Sequence, residues 1–562
     1  MAYIVGIDVG GTNTNAVLLK DDAVLATAKA PTNHKQLHVG TIQALASILK
    51  FMPELETEIT LHLSTTLATN AVVEGKGEPT AALIFPGPGR KWEELGLPFK
   101  LFTVEGSIDH RGRETAPLDR DQIRRVIKRI KEMGFKALAG VGKFSSRNPQ
   151  HELELEDLVT NEFPEYLPVT LGHRLSGKLN FPRRITTAVL NAGIAGIQAE
   201  FAEMIREVRE RYKIGRVFIL KADGGSIELE ESLARPIETI LSGPAASLMG
   251  AQALCNEIKN AVVIDIGGTT TEISLFYHGE PLAEKEGAEI FGFATLVPAF
   301  FSRSMGLGGD SAVQFDGKEV TIGPRRDGPP VVLGGPRITP TDAVVALGKA
   351  SIGDKKRALT ALEAMGAPYG INPTAMAEKI VDAFSQKAIK TINKIYASIN
   401  TRPVYTVSQV MAAEVLEPDL IIGMGGPAAY FIPKIAKGMG VAYKVLPYYE
   451  AANAIGAAAS RPTVTLTLRA DTALGKMVIP ELDEITEIPR PFFFNLETAK
   501  EEAIKKTIVY AERAGTTVEP KEIEITEEEV FNMVRGFHTI GKLYTLKAQV
   551  KPEVRPIKTC GC

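Results

Sequence analysis

One short pattern occurs twice in this chain, and the repeat limits the folds that the chain can adopt. Residues 7–14 read IDVGGTNT, and residues 264–271 read IDIGGTTT. Apolar, β-branched runs flank both copies, so each copy predicts a strand, a tight glycine turn and a second strand. Solenoids repeat every roughly 20–50 residues, so two copies this far apart indicate two related halves of one larger fold.

Composition places the chain among large globular proteins. It has 562 residues, of which 44% are hydrophobic and 23% are charged, as in ordinary folded proteins. A disordered chain and a small disulfide scaffold are excluded. This length predicts about three or four domains, or two large lobes with insertions. The net charge of −3 gives no basic field of the kind that nucleic-acid-binding proteins carry.

Three features bear on where the protein works. No charged region or cleavage site precedes the strand-like run Tyr3–Asp8. No apolar run reaches the roughly 18 residues that a transmembrane helix needs. The sparse cysteines, Cys255, Cys560 and Cys562, are odd in number and indicate a reducing compartment. We therefore expect a cytoplasmic protein that binds neither a membrane nor nucleic acid.

Helical and strand-like stretches alternate along the chain. Ala192–Tyr212 and Thr374–Ile399 carry apolar residues every three or four positions, which predicts amphipathic helices in an α/β fold. Beyond Pro462 the sequence pattern changes, which indicates a small appended domain. We predict a linker at Pro480–Pro491 and a charged helix at Leu496–Ala514 within it.

The repeated turns have the chemistry of phosphate clamps. Paired glycines let backbone N–H groups approach an anion, and threonine hydroxyls add donors. Asp8 and Asp265 just before the turns are suited to Mg²⁺ or its water shell, so two such clamps are able to hold a polyphosphate from opposite sides. The predicted phosphate-binding residues are Gly10, Gly11, Thr12, Thr14, Gly267, Gly268, Thr269 and Thr270.

A third glycine-rich turn follows the apolar run Leu420–Ile422 and precedes a predicted helix. Its glycines, Gly423, Gly425 and Gly426, would let an adenine and a ribose lie against the backbone. The order of the three turns resembles the actin, sugar-kinase and heat-shock-chaperone ATPase superfamily. That resemblance implies two RNase H-like lobes around a cleft that holds ATP and Mg²⁺, with hinge closure on binding.

Two alanine-rich stretches resemble the connecting helices of that superfamily. Asn453–Ala459 resembles the second, whose small side chains let two helices cross closely, and Asn191–Gly196 resembles the first. The expected architecture is therefore α/β, with two actin-like lobes, an inserted region and a small C-terminal domain. The expected domains are residues 1–185, 186–462 and 463–562.

Four further strings are similar to the A-type subunit of the hydantoinase/5-oxoprolinase family, and the resemblance spans about residues 3–460. They are Ser64–Val72, Asp223–Ser226 with Arg235–Ala246, Gly306–Ser311 and Pro340–Ala343. The resemblance implies ATP-dependent hydrolysis of a cyclic amide, such as a hydantoin or 5-oxoproline. ATP phosphorylates the carbonyl oxygen, and water then adds to the activated carbon. It also implies a B-type partner subunit and an oligomer.

The resemblance assigns roles to particular residues. Asp8 and Asp265 would hold the metal or orient a nucleophile, and Thr66 and Asn70 would act at the substrate carbonyl. The expected substrate-binding residues are Thr65, Thr69, Ser242, Gly243 and Asp310.

Alternatives remain at several of these positions. Ser64–Asn70 also suits the start of a helix, and Asp310 also suits a structural turn. Family members often have His-Gly-Thr-Thr where this chain has Leu63–Thr66, and His62 is one position off. The same ATP site also suits a subunit of a ketone carboxylase, a small-molecule kinase or a nucleotide-gated binding protein. No His-Glu-x-x-His or Gly-x-Ser-x-Gly string favours a zinc or serine hydrolase.

Overall fold

The computed structural model describes residues 3–32, 37–51, 59–89, 92–255, 257–284, 286–401 and 415–558. Cys560 and Cys562 lie outside this part of the chain, whereas Cys255 is a buried free thiol. The fold is mixed α/β, as the sequence predicts. No helix in the described ranges is long and apolar enough to cross a lipid bilayer.

A six-stranded sheet contains the first hairpin. Tyr3–Val9 pairs antiparallel with Asn13–Lys20 and parallel with Ile59–Thr65, which confirms the predicted strand–turn–strand unit. The helices Leu37–Leu49 and Phe181–Tyr212 contribute apolar side chains to its core. In spatial order the strands are Ser226–Glu228, Ile214–Leu220, Ile59–Thr65, Tyr3–Val9, Asn13–Lys20 and Ala23–Pro31.

A second six-stranded sheet repeats this arrangement around the second hairpin. Ala261–Ile266 pairs antiparallel with Thr271–Tyr277 and parallel with Leu420–Met424. Ser302–Met305 also pairs with Thr271–Tyr277. The main path runs through Glu280–Pro281, Thr271–Tyr277, Ala261–Ile266, Leu420–Met424 and Ala442–Val445. Both sheets therefore place a hairpin beside two parallel strands, as two related halves require.

The second sheet packs against a group of helices that includes the predicted amphipathic one. That helix runs over Pro373–Asn400 and buries Met376, Ile380 and Phe384, which confirms the predicted period. The other helices of this core are Pro340–Ala346, Lys355–Gly366 and Ala428–Met439. Short strands in this half are Glu289–Ile290, Phe293–Ala294, Val313–Phe315 and Val320–Ile322.

An inserted region lies between the fourth and fifth strands of the first sheet in chain order, Ile59–Thr65 and Ile214–Leu220. Its four strands are all parallel, and in spatial order they are Thr170–Leu171, Ala137–Gly142, Thr80–Phe85 and Lys100–Thr103. The helices Arg120–Glu132 and Gln150–Glu162 cover it. Smaller elements are Ser107–Ile108, Glu114–Ala116, Leu67–Val73, Gly172–Leu175 and Leu229–Ser232.

The first sheet continues to Glu228, whereas the sequence placed a domain boundary at residue 185. The sheet extends past the predicted boundary because strand Ile214–Leu220 pairs with strand Ile59–Thr65, although the insertion separates them in the chain. No local sequence pattern shows such a pairing. The helix predicted from Ala192 begins at Phe181 instead. Its start signal is the Asn180 side chain, which accepts a hydrogen bond from the Arg183 backbone N–H.

The C-terminal residues form an antiparallel sheet with one covering helix, Leu496–Arg513. In spatial order its strands are Glu484–Glu487, Lys476–Ile479, Thr465–Asp471, His538–Val550 and Ile523–Arg535. The helix prediction is confirmed to within one residue, but the linker predicted at Pro480–Pro491 is wrong. That stretch contains the edge strand, because Ile485 pairs with Val478 despite the flanking prolines and acids.

Two short helices of small residues cross between the halves. A Cβ on Gly456 in helix Ala452–Ala459 would lie 2.1 Å from the Ala246 carbonyl oxygen of helix Ser242–Leu254. Only glycine permits so close a crossing, so the predicted close contact is confirmed. The partner helix is Ser242–Leu254, however, and not the Asn191–Gly196 stretch, which lies inside Phe181–Tyr212.

Candidate active site between the two hairpin turns

The turns of the two hairpins touch one another. A Cβ on Gly268 in the second turn would lie 2.9 Å from Thr12 Oγ1 in the first. Asp8 is the last residue but one of strand Tyr3–Val9, and Asp265 is the last residue but one of strand Ala261–Ile266. The structure therefore brings together the two sets of residues that the sequence predicts as phosphate clamps.

Asp8 is a buried carboxylate, and Asp265 on the other hairpin is half-buried. Burial and the nearby charge of Asp265 raise the pKa of Asp8, the polar side chains of Ser64 and Asn453 lower it, and the resulting value is about 7. Loss of solvent also raises the pKa of Asp265. Two negative charges in such a site are costly unless a cation or a proton accompanies them.

Two polar side chains from the crossing helices hold Asp265 in place. Asn453 Nδ2 donates to Asp265 Oδ2 at 2.8 Å, and Ser247 Oγ donates to the same oxygen at 2.9 Å. Both hydrogen bonds lower the pKa of Asp265 against the effect of burial. No sequence pattern assigned Ser247 or Asn453 to the site. Asn453 is the one polar side chain of helix Ala452–Ala459 and so carried a signal, whereas Ser247 shares its helix with Ser242 and Gln252.

The Gly306–Ser311 string lies on the second turn. Gly309 N donates to Gly267 O at 2.9 Å, and Asp310 N donates to Gly268 O at 2.7 Å. The Asp310 carboxylate is thereby brought beside both turns. Thr341, from the Pro340–Ala343 string, donates through Oγ1 to Gly309 O at 2.8 Å and so fixes this segment.

Arg326 connects the two halves, and the sequence analysis missed it. Its Nη1 donates to Thr12 Oγ1 at 3.1 Å, and its Nη2 lies 3.1 Å from Asp310 Oδ2. Burial raises the pKa of Asp310, and the charge of Arg326 lowers it in part. No motif surrounds Arg326, so only the folded chain shows its role.

The Ser64–Asn70 string joins the end of a strand to the start of helix Leu67–Val73. Ser64 is paired with Asp8 in the parallel register. Thr66 Oγ1 donates to Val9 O at 3.3 Å, and Asn70 Nδ2 donates to Thr66 Oγ1 at 3.3 Å. Thr66 and Asn70 are thus tied directly to the first hairpin. The string therefore fits both alternatives, a helix start and a segment of the site, because it begins a helix and also lies beside Asp8.

Three predicted substrate-binding residues, Thr65, Thr69 and Ser242, instead make hydrogen bonds between distant segments of the chain. Ser242 is fully buried; its Oγ donates to Thr65 O at 2.8 Å and accepts from Thr65 N at 3.3 Å. Thr69 Oγ1 accepts from Leu241 N at 3.1 Å, where Leu241 takes a left-handed φ of 63°. These bonds lock the Ser242 helix start against the Thr65 segment. Gly243 beside them faces open space.

The predicted nucleotide-binding residues divide into two groups. Thr14 is buried, and its hydroxyl pairs with Thr32 at 3.1 Å, while a Cβ on Gly423 would meet Ile432 at 2.4 Å; both face away from the turns. Gly11 and Gly426 border open space, and the remaining partly exposed turn residues are Thr12, Thr269 and Thr270. The N–H groups of Gly10 and Gly267 close their own turns.

His62 does not replace the histidine that family members often carry. It is buried on strand Ile59–Thr65, with its ring centroid 5.1 Å from that of Phe218. Burial lowers its pKa to about 3, so it stays neutral.

Comparisons with known proteins match most of the chain. A sequence model described as Hydantoinase/oxoprolinase matches residues 184–465, and one described as Hydantoinase/oxoprolinase N-terminal region matches residues 4–163. The gamma subunit of acetophenone carboxylase from Aromatoleum aromaticum is 28% identical over 61% of this chain and 53% of its own length. Caprolactamase subunit alpha from Pseudomonas jessenii is 25% identical over 79% of this chain and 68% of its own length. The chain thus spans between about half and two thirds of these relatives.

Solved structures share the fold across the whole described chain. Nucleotide-free acetone carboxylase superimposes with a TM-score of 0.71 at 17% identity, covering 99% of this chain and 88% of that one. ATP-dependent caprolactamase from Pseudomonas jessenii superimposes with a TM-score of 0.69 at 20% identity, covering 100% and 89%. At these identities the likeness establishes the architecture alone.

Proposed function

Because the chain belongs to the hydantoinase/oxoprolinase family, we propose that it hydrolyses a cyclic amide at the expense of ATP. The carrying observation is the contact between the two glycine turns, each of which follows an aspartate, with the charge of Asp265 acting on Asp8. Each turn presents threonine hydroxyls and backbone, and each belongs to its own sheet. A polyphosphate between the turns would be held from both halves at once.

The two sheets support a two-lobe, actin-like ATPase arrangement. Each has a hairpin followed by parallel strands, and the helix pair Ser242–Leu254 and Ala452–Ala459 lies between them. In this proposal the nucleotide is held between the turns, with its adenosine at the Gly425–Gly426 turn, where Gly426 borders open space. We propose an appended domain from residue 463 onward, and a separate core that runs from Val464 to Val550 supports it.

A divalent cation suits the carboxylates of this site. Burial and the charge of Asp265 raise the pKa of Asp8. A charge of +2 beside the two carboxylates would lower the free-energy cost of ionising them. The described residues contain no group of three or more His, Cys, Asp or Glu side chains placed for a metal, so phosphate oxygens and water would complete the coordination, as is usual for Mg²⁺. Mg²⁺ there would supply charge neutralisation for the phosphoryl group.

The chain's own residues would then position the reaction. Thr12, Thr269 and Thr270 donate hydrogen bonds to phosphate oxygens, while Thr66 and Asn70 orient the amide carbonyl. The carbonyl oxygen forms a bond to the γ-phosphorus, and the bond to ADP breaks. Water then adds to the carbonyl carbon and the ring C–N bond breaks, with the nitrogen taking up a proton, which leaves an acyl phosphate. A second water attacks this acyl phosphate, and phosphate leaves. Positioning and charge stabilisation supply most of the acceleration in such transfers.

A second candidate reaction is the carboxylation of a ketone. Two relatives favour it: the acetophenone carboxylase subunit, at 28% identity, and the acetone carboxylase structure, at a TM-score of 0.71. In that reaction the same hairpin site would phosphorylate bicarbonate or an enolate. The acetophenone carboxylase and caprolactamase relatives are each named as a subunit, so we propose a B-type partner and an oligomer for this chain as well.

Phosphate release tests the proposal. Purified protein with Mg²⁺ and ATP is assayed with hydantoin, 5-oxoproline and caprolactam, and separately with acetone or acetophenone plus bicarbonate, with and without the B-type subunit. Stimulation by a cyclic amide is expected, with the ring-opened product formed in equal amount. Stimulation only by ketone and bicarbonate supports the second candidate. A stable phosphorylated product would indicate a kinase, and ATP binding without stimulation by any compound would contradict both proposals.

A further inference from the structure

A cavity of about 970 Å³ lies apart from the hairpin turns, and the proposed reaction makes no use of it. Four segments far apart in the chain line it, within residues 146–180, 221–238, 283–300 and 462–552. It therefore borders the inserted region, the end of the first sheet and the C-terminal sheet. The Asp223–Ser226 and Arg235–Ala246 strings, whose family resemblance the hairpin site does not explain, contribute Asp223 and Arg235 to its wall.

One wall of the cavity is a polar face of the C-terminal sheet. Strand Thr465–Asp471 alternates: Leu466, Leu468 and Ala470 join the core under helix Leu496–Arg513. The residues between them point into the cavity, and their neighbours on strand His538–Val550 do the same. The side chains on this face are Thr465, Thr467, Arg469, Thr545, Lys547 and Gln549.

Arg469 is a buried cation without a partner on this wall. Its side chain is only 8% exposed, and among the described residues no carboxylate lies within 4 Å of it and no hydrogen bond reaches it. Arg147, which also lines the cavity, is half-buried. Its Nε is buried without a hydrogen-bond partner, and its guanidinium lies 5.7 Å from the centre of the Phe144 ring. The carboxylate of Asp471 instead pairs with Arg111 at 3.7 Å.

The electrostatics agree with this geometry. Burial and the charges of Arg147 and Arg111 lower the pKa of Arg469, Asp471 opposes them, and the resulting value is about 10. Loss of solvent likewise lowers the pKa of Arg147, opposed by carboxylates that include Glu529. Holding two like charges in a site with little solvent and no anion is destabilising. A guanidinium pair in a cavity is suited to an oxyanion, which it binds through paired N–H groups.

We propose that Arg469 and Arg147 bind the carboxylate of a small organic molecule inside this cavity. The choice of a carboxylate rests on the proposed function, because opening a lactam leaves a carboxylate and carboxylating a ketone adds one. The other charges of the cavity support the choice. Nine carboxylates and six cations line it, and this excess of negative charge disfavours a phosphate dianion and favours a ligand that also carries an amine.

Direct binding without ATP tests the site. Calorimetry measures the affinity of the full chain for 6-aminohexanoate, for butyrate and for inorganic phosphate. We expect both carboxylates to bind, with 6-aminohexanoate the tighter, and phosphate to bind more weakly. In Arg469→Gln the affinity for the carboxylates is expected to fall on the order of tenfold to a hundredfold, the usual worth of a charged hydrogen bond. Arg147→Gln is expected to act in the same direction.

Arg513→Gln is the matched control, because Arg513 lies exposed at the end of the covering helix of the same domain. It should leave the affinities unchanged. Thermal stability gives a second readout: removing one of two repelling charges leaves Tm unchanged or higher in Arg469→Gln. A purely structural arginine would instead lower Tm when replaced.

Three outcomes overturn the proposal. One is no binding of either carboxylate, and another is binding that both arginine variants leave unchanged. The third is phosphate binding tighter than carboxylate binding with the same dependence on Arg469, which would make the site a phosphate site. None of these measurements involves ATP turnover, so their failure is distinct from a failure of the proposed reaction.

Discussion

The two hairpins have nearly the same sequence, but their surroundings differ. Asp265 receives hydrogen bonds from Ser247 and Asn453, and the Gly308–Asp310 backbone covers the turn that follows it. The turn after Asp8 is open, and Gly11 at its tip is exposed. Two residues before Asp8 stands Gly6, against which helix Ala452–Ala459 packs; the equivalent residue of the second hairpin is Val263.

The comparison shows that a sequence repeat specifies the backbone of a hairpin but not the role of its carboxylate. The second carboxylate is half-buried and is held by a network of hydrogen bonds. The first is close to the helix crossing, has a pKa raised to about 7 and borders an open turn. We infer that the second hairpin is the fixed side of the site and that the first is the side that responds to ligand and pH.

The largest expected effect is the loss of turnover in Asp8→Asn and in Asp265→Asn. Each change is nearly isosteric but removes a charge proposed to hold Mg²⁺, so ATP hydrolysis should fall by on the order of a thousandfold. Steady-state phosphate release measures this, and circular dichroism checks that the fold is kept. Full activity in either variant would show that the two hairpins are unequal in the reaction itself.

The pH dependence of stability should separate the two carboxylates. The folded pKa of Asp8, about 7, lies above its unfolded value of 3.8, so the folded state holds a proton that the unfolded chain has lost. The stabilisation from that proton is complete below about pH 4 and is lost as the pH rises through 7. Without Mg²⁺, Asp8→Asn should therefore be more stable than wild type at pH 8, by at most on the order of 4 kcal/mol.

Urea unfolding of both proteins between pH 5 and 9 measures that difference. Added Mg²⁺ should shrink it, because the cation would stabilise the charged form of Asp8. A difference that does not change with pH would contradict the raised pKa.

The glycine that distinguishes the first hairpin should not tolerate a side chain. A Cβ on Gly6 would lie 2.1 Å from the Ala454 carbonyl oxygen, so Gly6→Ala must push the helix away and should destabilise the protein by about 1–3 kcal/mol. Gly11→Ala is the control, since a Cβ there has nothing within 4 Å. Thermal unfolding compares the two; equal Tm values would mean that the helix shifts freely.

The smallest effect is expected at the connection between the halves. Arg326→Gln removes the link from Thr12 to Asp310 and should raise the KM for ATP by about tenfold, the worth of one charged hydrogen bond, with little change in kcat. Arg325→Gln is the neighbouring control, since Arg325 is exposed and pairs with Asp327. An equal change in both variants would argue against the connection.

The sequence predicts the parts of the site that are local. Both hairpins, the helix over Pro373–Asn400 and the close helix crossing follow from short patterns. What the sequence does not show is pairing across long distances: Ile214–Leu220 joins the first sheet across the insertion, and Arg326 reaches Thr12. The sequence also does not show which way a side chain points. Thr14 stands in the same motif as Thr12, but strand alternation turns its side chain into the core.

The contact between Gly6 and helix Ala452–Ala459 has a consequence for synthesis on the ribosome. The helix that covers Gly6 is made about 450 residues after the first strand. At typical elongation rates of about 5–20 residues per second, that interval is roughly 20–90 s. Throughout it the first strand lacks its permanent neighbour and exposes an apolar edge. The nascent chain is therefore the stage at which this protein most needs a chaperone.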